Sequence, residues 1–268
     1  MTHPRLALNS LSTASWPLEL DLELYVELGV GHAGFLLDKL DAATPDRAVD
    51  LIRSSGVGAT QVFARGTTPN DPGQWPEDQA RLCRAVDLAV ELGGTCVTVT
   101  TGPAGDLGWD VAAEAMGEAL GPVIERGRQH GITLAIEQTL PVRPEIGFVH
   151  SFADTVELAE RFDLGVALEA NYCCYERHID QSVRAAGSRL SMVQLSDLVP
   201  PSTSLPDRAV PGDGVLPLGR IVATVLAAGY QGFFELEQLG PRIESEGYAE
   251  ACRRGVAVID QLLVDAGA

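Results

Sequence analysis

The sequence predicts an α/β protein, a single-domain (β/α)8 TIM barrel spanning residues 1–268. Three observations carry this. A length of 268 residues suits one such barrel. A helical stretch that ends at a glycine and leads into a short apolar strand recurs along the chain. The strands read as continuous apolar runs, as parallel strands covered on both faces do.

The elements follow in order. Leu6-Ala7-Leu8 opens the chain as the first strand. Glu27-Leu28-Gly29 precedes Val30–Phe35, Ser54-Ser55-Gly56 precedes Ala59–Phe63, and Glu91-Leu92-Gly93 precedes Thr95–Val99. Gln129-His130-Gly131 precedes Ile132–Ile136, Ala185-Ala186-Gly187 precedes Leu190–Gln194, and Ala227-Ala228-Gly229 precedes Gly232–Leu236. The glycines are spaced by 27, 37, 38, 56 and 42 residues, and the long gap holds a further unit, a helix ending near Phe162-Asp163 before Leu164–Leu168. Eight units of about 33 residues result, with helical stretches at 76–92, 110–129, 216–228 and 245–264 among them. An open doubly wound sheet is the alternative, opposed by the lack of G-x-G-x-x-G after the first strand. The longer connections 65–76 and 198–216 fall on the C-terminal face, where barrel enzymes keep their chemistry.

Composition excludes several classes. A formal charge of −18 opposes partnership with nucleic acid or an anionic membrane. Lys39 is the only lysine, hence the only candidate for a Schiff base, and no Gly-Lys-Ser/Thr is present. Five cysteines, at 83, 96, 173, 174 and 252, form no C-x-x-C pair. With no apolar leader and no apolar run of transmembrane length, they predict reduced thiols in a cytoplasmic protein.

In a barrel, the strand ends present Asn9, Arg65, Thr100, Thr101, Glu137, Glu169, Gln194 with Asp197, and Glu237. One Glu in such a place is as readily a solvated loop residue. Three on converging strands are costly without a partner or cation. Three Glu and one Gln form an oxygen-rich set suited to Mn²⁺ or Mg²⁺. His32 begins a strand, away from this face, and His130 ends a helix. His150 and His178 reach the pocket only from loops, and Cys173-Cys174 reads as small apolar lining.

Leu134–Glu137, Val193–Asp197, Arg208–Gly214 and Gly229–Glu237 together resemble the xylose isomerase-like TIM barrels. This is the sugar phosphate isomerase/epimerase group, with ketose 3-epimerases, inosose dehydratases and 3-dehydroshikimate dehydratases. The resemblance covers nearly the whole chain. It implies one divalent metal on Glu137, Glu169, Gln194 and Glu237, with Glu137 and Glu237 catalytic. Glu169 stands where Asp is commoner, Gln194 where His is, and Tyr172 where many relatives carry His. Arg208 is implied at the substrate. Arg65, Tyr172 and Asp197 are further expected substrate contacts.

The implied reaction is proton transfer at the carbon beside a carbonyl of a small hydroxy-ketone or sugar. Isomerisation or epimerisation is the first reading, and dehydration of a cyclic hydroxy-ketone the alternative. A metal-free binding barrel is a further one. Tyr172, Cys173, Cys174, Tyr175, Leu198, Val199, Pro200 and Pro201 make the expected pocket less polar than a free hexose needs. Assembly into a homo-oligomer is compatible with the sequence.

Overall fold

The computed structural model describes residues 2–173, 175–202 and 204–268. Its strands are β1 (Leu6–Asn9), β2 (His32–Leu36), β3 (Gly58–Ala64), β4 (Cys96–Thr100), β5 (Thr133–Glu137), β6 (Gly165–Glu169), β7 (Leu190–Leu195) and β8 (Phe234–Leu236). They pair in sequence order, all parallel, and close when Leu6, Ala7 and Leu8 pair with Phe234, Glu235 and Leu236. Outside them run α1 (Leu18–Glu27), α2 (Leu37–Ala42), α3 (Pro45–Ser55), α4 (Trp75–Leu92), α5 (Trp109–His130) and α6 (Phe152–Phe162). The ring is completed by α7 (Ile179–Ala186), α8 (Leu218–Ala227), α9 (Pro241–Glu246) and α10 (Tyr248–Ala266). Among the described residues, no helix is long and apolar enough to cross a membrane.

Each expected strand is present. The helix faces explain the packing: α4 buries Leu82, Ala85, Val86 and Ala89, one helical stripe, against the barrel. The expected stops also hold. Gly56, Gly93 and Gly131 cap α3, α4 and α5 in the left-handed conformation, with φ of 77°, 75° and 72°. At the end of α6 Asp163 takes that role (φ 55°), a conformation Asp tolerates better than most non-glycine residues. The stretch 245–264 is not one helix, because Gly247 (φ 97°) separates α9 from α10.

Two buried charged groups organise the interior. Glu235 is fully buried inside the barrel and accepts hydrogen bonds from Asn9 Nδ2 (2.9 Å), Gln61 Nε2 (2.7 Å) and Thr60 Oγ1. Burial pushes its carboxyl up to about 7, against the pull of these donors. A Cβ on Gly34 would lie 2.5 Å from Glu235 Oε1, so β2 needs glycine there.

The sole lysine serves structure. Lys39 Nζ donates to Asp21 Oδ2 (2.6 Å) and the Thr13 carbonyl (2.9 Å), while Asp21 Oδ1 accepts from Thr13 Oγ1 (2.6 Å). Burial pushes the Asp21 carboxyl up to about 6 in spite of Lys39. Lys39→Met leaves that carboxylate uncompensated, and we expect a loss of roughly 3–5 kcal/mol in chemical denaturation. Restoration of most of that loss by Asp21→Leu in the same chain checks that the charge, not the packing, is responsible.

Candidate active site

The ladder registers set the heights of the acids. Glu137 ends β5 level with Thr100 of β4, and Glu169 ends β6 level with Gln194 of β7. Glu235 is also level with Gln194, so Glu237 stands two residues higher, just beyond β8. One oxygen each of Glu137, Glu169 and Glu237 lies within 4.8 Å of the others, and all three residues are buried. Gln194 Nε2 donates to Glu237, while its Oε1 has no partner.

Arg208 reaches this cluster from the 198–216 connection. Its Nη1 donates to Glu237 Oε1 (2.6 Å), the Glu237 carbonyl (2.9 Å) and Glu169 Oε2 (3.1 Å). The guanidinium carbon lies 4.9 Å from the centre of the Tyr172 ring, a cation–π contact. Burial, then the Glu237 charge, holds the Glu137 carboxyl well above the usual range. Burial pushes Glu169 up to about 7 against Arg208, and Tyr172 up to about 12, so the phenol stays a neutral donor.

The donor set fits a divalent cation. Three carboxylates against one guanidinium leave two negative charges when all are ionised. The donors are oxygens, and Gln194 Oε1 is a buried acceptor in need of a partner. Turning the Gln194 amide over would aim that oxygen at Glu237's side of the cluster.

Above the cluster lies a cavity of about 830 Å³, whose walls include Glu137, Glu237, Arg208, Tyr172 and Arg65. Glu169 and Gln194 do not line it. Arg65 is exposed, with no ion pair among the described residues. Its loop is fixed by Arg81, which donates to the Arg65 (2.6 Å) and Gly66 (2.8 Å) carbonyls and pairs with Asp78 (3.1 Å). The sequence reading missed Thr67 and Thr139, whose hydroxyls lack partners in the cavity wall, and the Arg143–Glu145 pair at its side. The length of the 65–76 connection was the only signal for Thr67.

Other expected residues lie elsewhere. Asp197 does not line this cavity. Its carboxylate accepts from the backbone N–H of Leu198 (2.8 Å), Gly212 (2.9 Å) and Leu216 (2.9 Å), which consumes it in shaping the 198–216 loop. Cys173 accepts from Gln138 Nε2 (2.9 Å) and faces a separate space beside α7 and α8, and Cys174 lies outside the described residues. His150 Nδ1 bonds the Thr139 carbonyl (3.0 Å), His178 lies with Cys173, and His32 packs on Phe233 at 4.6 Å. Lys39 does not line the cavity.

A family profile described as xylose isomerase-like TIM barrel matches residues 24–258. No protein of curated function matches the sequence. Among solved structures, protein SMc04130 of Sinorhizobium meliloti 1021 superposes with a TM-score of 0.88 at 22% identity, over 96% of this chain and 98% of its own. The zinc-bound IolI protein gives 0.85 at 16% identity, over 98% and 99%. A D-allulose 3-epimerase from Methylomonas sp. gives 0.80 at 15% identity, over 98% and 99%. At these identities the likeness is one of fold.

The role of Asp197 is directly testable. Asp197→Ala strands three backbone donors, and we expect at least about 1.5–3 kcal/mol of lost stability. Limited proteolysis should then cut within 198–216, where the intact protein resists.

Proposed function

The chain belongs to the xylose isomerase-like TIM barrel family, and from that premise we propose that it is a divalent-metal-dependent isomerase or epimerase of a small hydroxy-ketone or sugar. The observation that carries this reading is the placement of Glu137 and Glu237. They come from non-adjacent strands into one cavity, with Arg208 between Glu237 and the deeper Glu169. Epimerases among the structural neighbours support the same class.

A carbon acid beside a carbonyl is too weak for an unaided carboxylate at neutral pH. A divalent cation held by Glu137, Glu169, Gln194 and Glu237 would supply Lewis-acid polarisation of the carbonyl, and the all-oxygen donors favour Mn²⁺ or Mg²⁺. One of Glu137 and Glu237 takes the proton from carbon, and the other returns one. Return to the opposite face of the same carbon epimerises, and return to the neighbouring carbon isomerises. Arg208 orients substrate oxygens from the cavity wall and opposes the rise that burial imposes on the Glu169 carboxyl. Tyr172 donates a hydrogen bond, since its raised proton affinity unfits it as a base. Arg65, on its clamped loop, binds a hydroxyl or anionic group at the mouth. The thiols Cys83, Cys96 and Cys252 are unbridged, in keeping with a cytoplasmic enzyme.

Incubation in D₂O with a panel of ketoses and Mn²⁺ or Mg²⁺ tests this. We expect deuterium at one substrate carbon with otherwise conserved mass. A product lighter by one water would identify a dehydratase instead. Glu237→Gln keeps the shape but removes the base, and exchange should fall by roughly 10²–10⁴-fold. Elemental analysis should find about one divalent ion per chain, lost in Glu137→Ala. Undiminished exchange in Glu237→Gln would falsify its role.

A further inference from the structure

A second chamber of about 460 Å³ adjoins the main cavity. The two share Arg143, Tyr172, Pro206 and Arg208 as common wall. Beyond that wall the surface changes character. Leu140, Pro141, Tyr175, Leu198, Pro200 and Leu205 line it, drawn from the segments after β5, β6 and β7.

Most of the charged and polar side chains in this annex are engaged by the protein. Glu176 accepts from the backbone N–H of Phe152 (2.7 Å) and Ala153 (3.0 Å), capping α6. Asp207 accepts from Ser202 Oγ (3.0 Å) and Arg242 Nε (3.2 Å). Asn171 Nδ2 donates to the Asp197 carbonyl (3.0 Å). Ser151 Oγ accepts from Asp154 N–H (3.0 Å), and His150 Nδ1 holds the Thr139 carbonyl. Arg143 is paired with Glu145, and Arg208 with Glu169 and Glu237. What remains for a guest is apolar and flat: tyrosine and proline faces with leucine edges. At the rim, Tyr175 is 84% and Leu205 46% exposed, apolar surface that a guest would cover.

The main cavity differs, since the exposed Arg65 guanidinium, with no ion pair among the described residues, stands in its wall. A sugar-sized ligand uses only part of its volume and leaves the annex bare.

We propose that the substrate is a hydroxy-ketone bearing an aryl group, with the polar ketone seated over Glu137 and Glu237 and the aryl group received by the annex. This rests on reading the site as one that acts on a hydroxy-ketone. The aromatic class follows from the flat walls and from the lining that the two chambers share at Arg143, Tyr172, Pro206 and Arg208. An anionic or polyhydroxylated substituent would lose hydration against the leucine and proline surface of the annex.

The test compares binding of the monobenzyl and the monomethyl ether of dihydroxyacetone, by calorimetry on the metal-loaded protein. Both keep the same hydroxy-ketone and differ only in the group offered to the annex. We expect the benzyl ether to bind about tenfold or more tightly, from burial of the ring. In Leu205→Asp, a change at an exposed position, that preference should shrink at least about fivefold. Equal affinities, no binding of either ether, or a preference untouched by Leu205→Asp would each overturn the proposal. The answer is read from binding alone. Deuterium exchange on simple ketoses without an aryl preference would keep the catalytic reading and sink the annex. An aryl preference in a protein that exchanges no deuterium would do the reverse.

Discussion

Three buried carboxylates within 4.8 Å of one another cannot all remain charged without positive charge among them. Most of the upper barrel answers this constraint. Arg208 supplies one cation in contact with Glu169 and Glu237, and the loop that delivers it is shaped by the Asp197 carboxylate. Tyr172 gives the guanidinium a ring face to rest on. The two negative charges that remain when all three are ionised are what a divalent cation would balance, and without one they are relieved by the raised proton affinity of Glu137 and Glu169.

The fold was legible because its signals are local. A glycine after a helical stripe and an apolar run after the glycine need only neighbouring residues, and Asp163 shows how little the cap depends on the glycine itself. Glu137, Glu169 and Glu237 were legible for a similar reason, since an acid that ends a buried strand is conspicuous in one dimension. The partner choices were not. Arg208 meets Glu169 across 39 residues and Glu237 across 29, through a fold-back that no period encodes. Asp197 looked like a site residue because it follows β7, but a carboxylate beside a long irregular loop finds backbone N–H groups before it finds a ligand. Thr67 and Thr139 carry no signal of their own, because a threonine near a strand end is commonplace.

The mouth of the site is built on fixed loops. Arg81 and Asp78 tie down 65–68 from the first turns of α4, and Asp197 ties down 198–216 from the end of β7. In both cases one buried or half-buried charge satisfies several backbone groups that lack strand or helix partners. Loops held in this way place their side chains nearly as firmly as strands do.

Glu235 on β8 and Glu237 just beyond it show how height in the barrel separates two like residues. Glu235 and Glu237 are two residues apart, both buried and both inward. Glu235 sits among strands on all sides, so only neighbouring strand side chains can reach it. It is answered by Asn9, Thr60 and Gln61, neutral donors that leave no room for a ligand. Glu237 stands one step beyond the ladder, where a loop delivers a guanidinium and the carboxylate borders the cavity. The chemical difference between two like residues on one strand is therefore set by height in the barrel. The register of β8 against β1 and β7 fixes that height, and with it which carboxylate is enclosed by strand side chains and which faces the cavity.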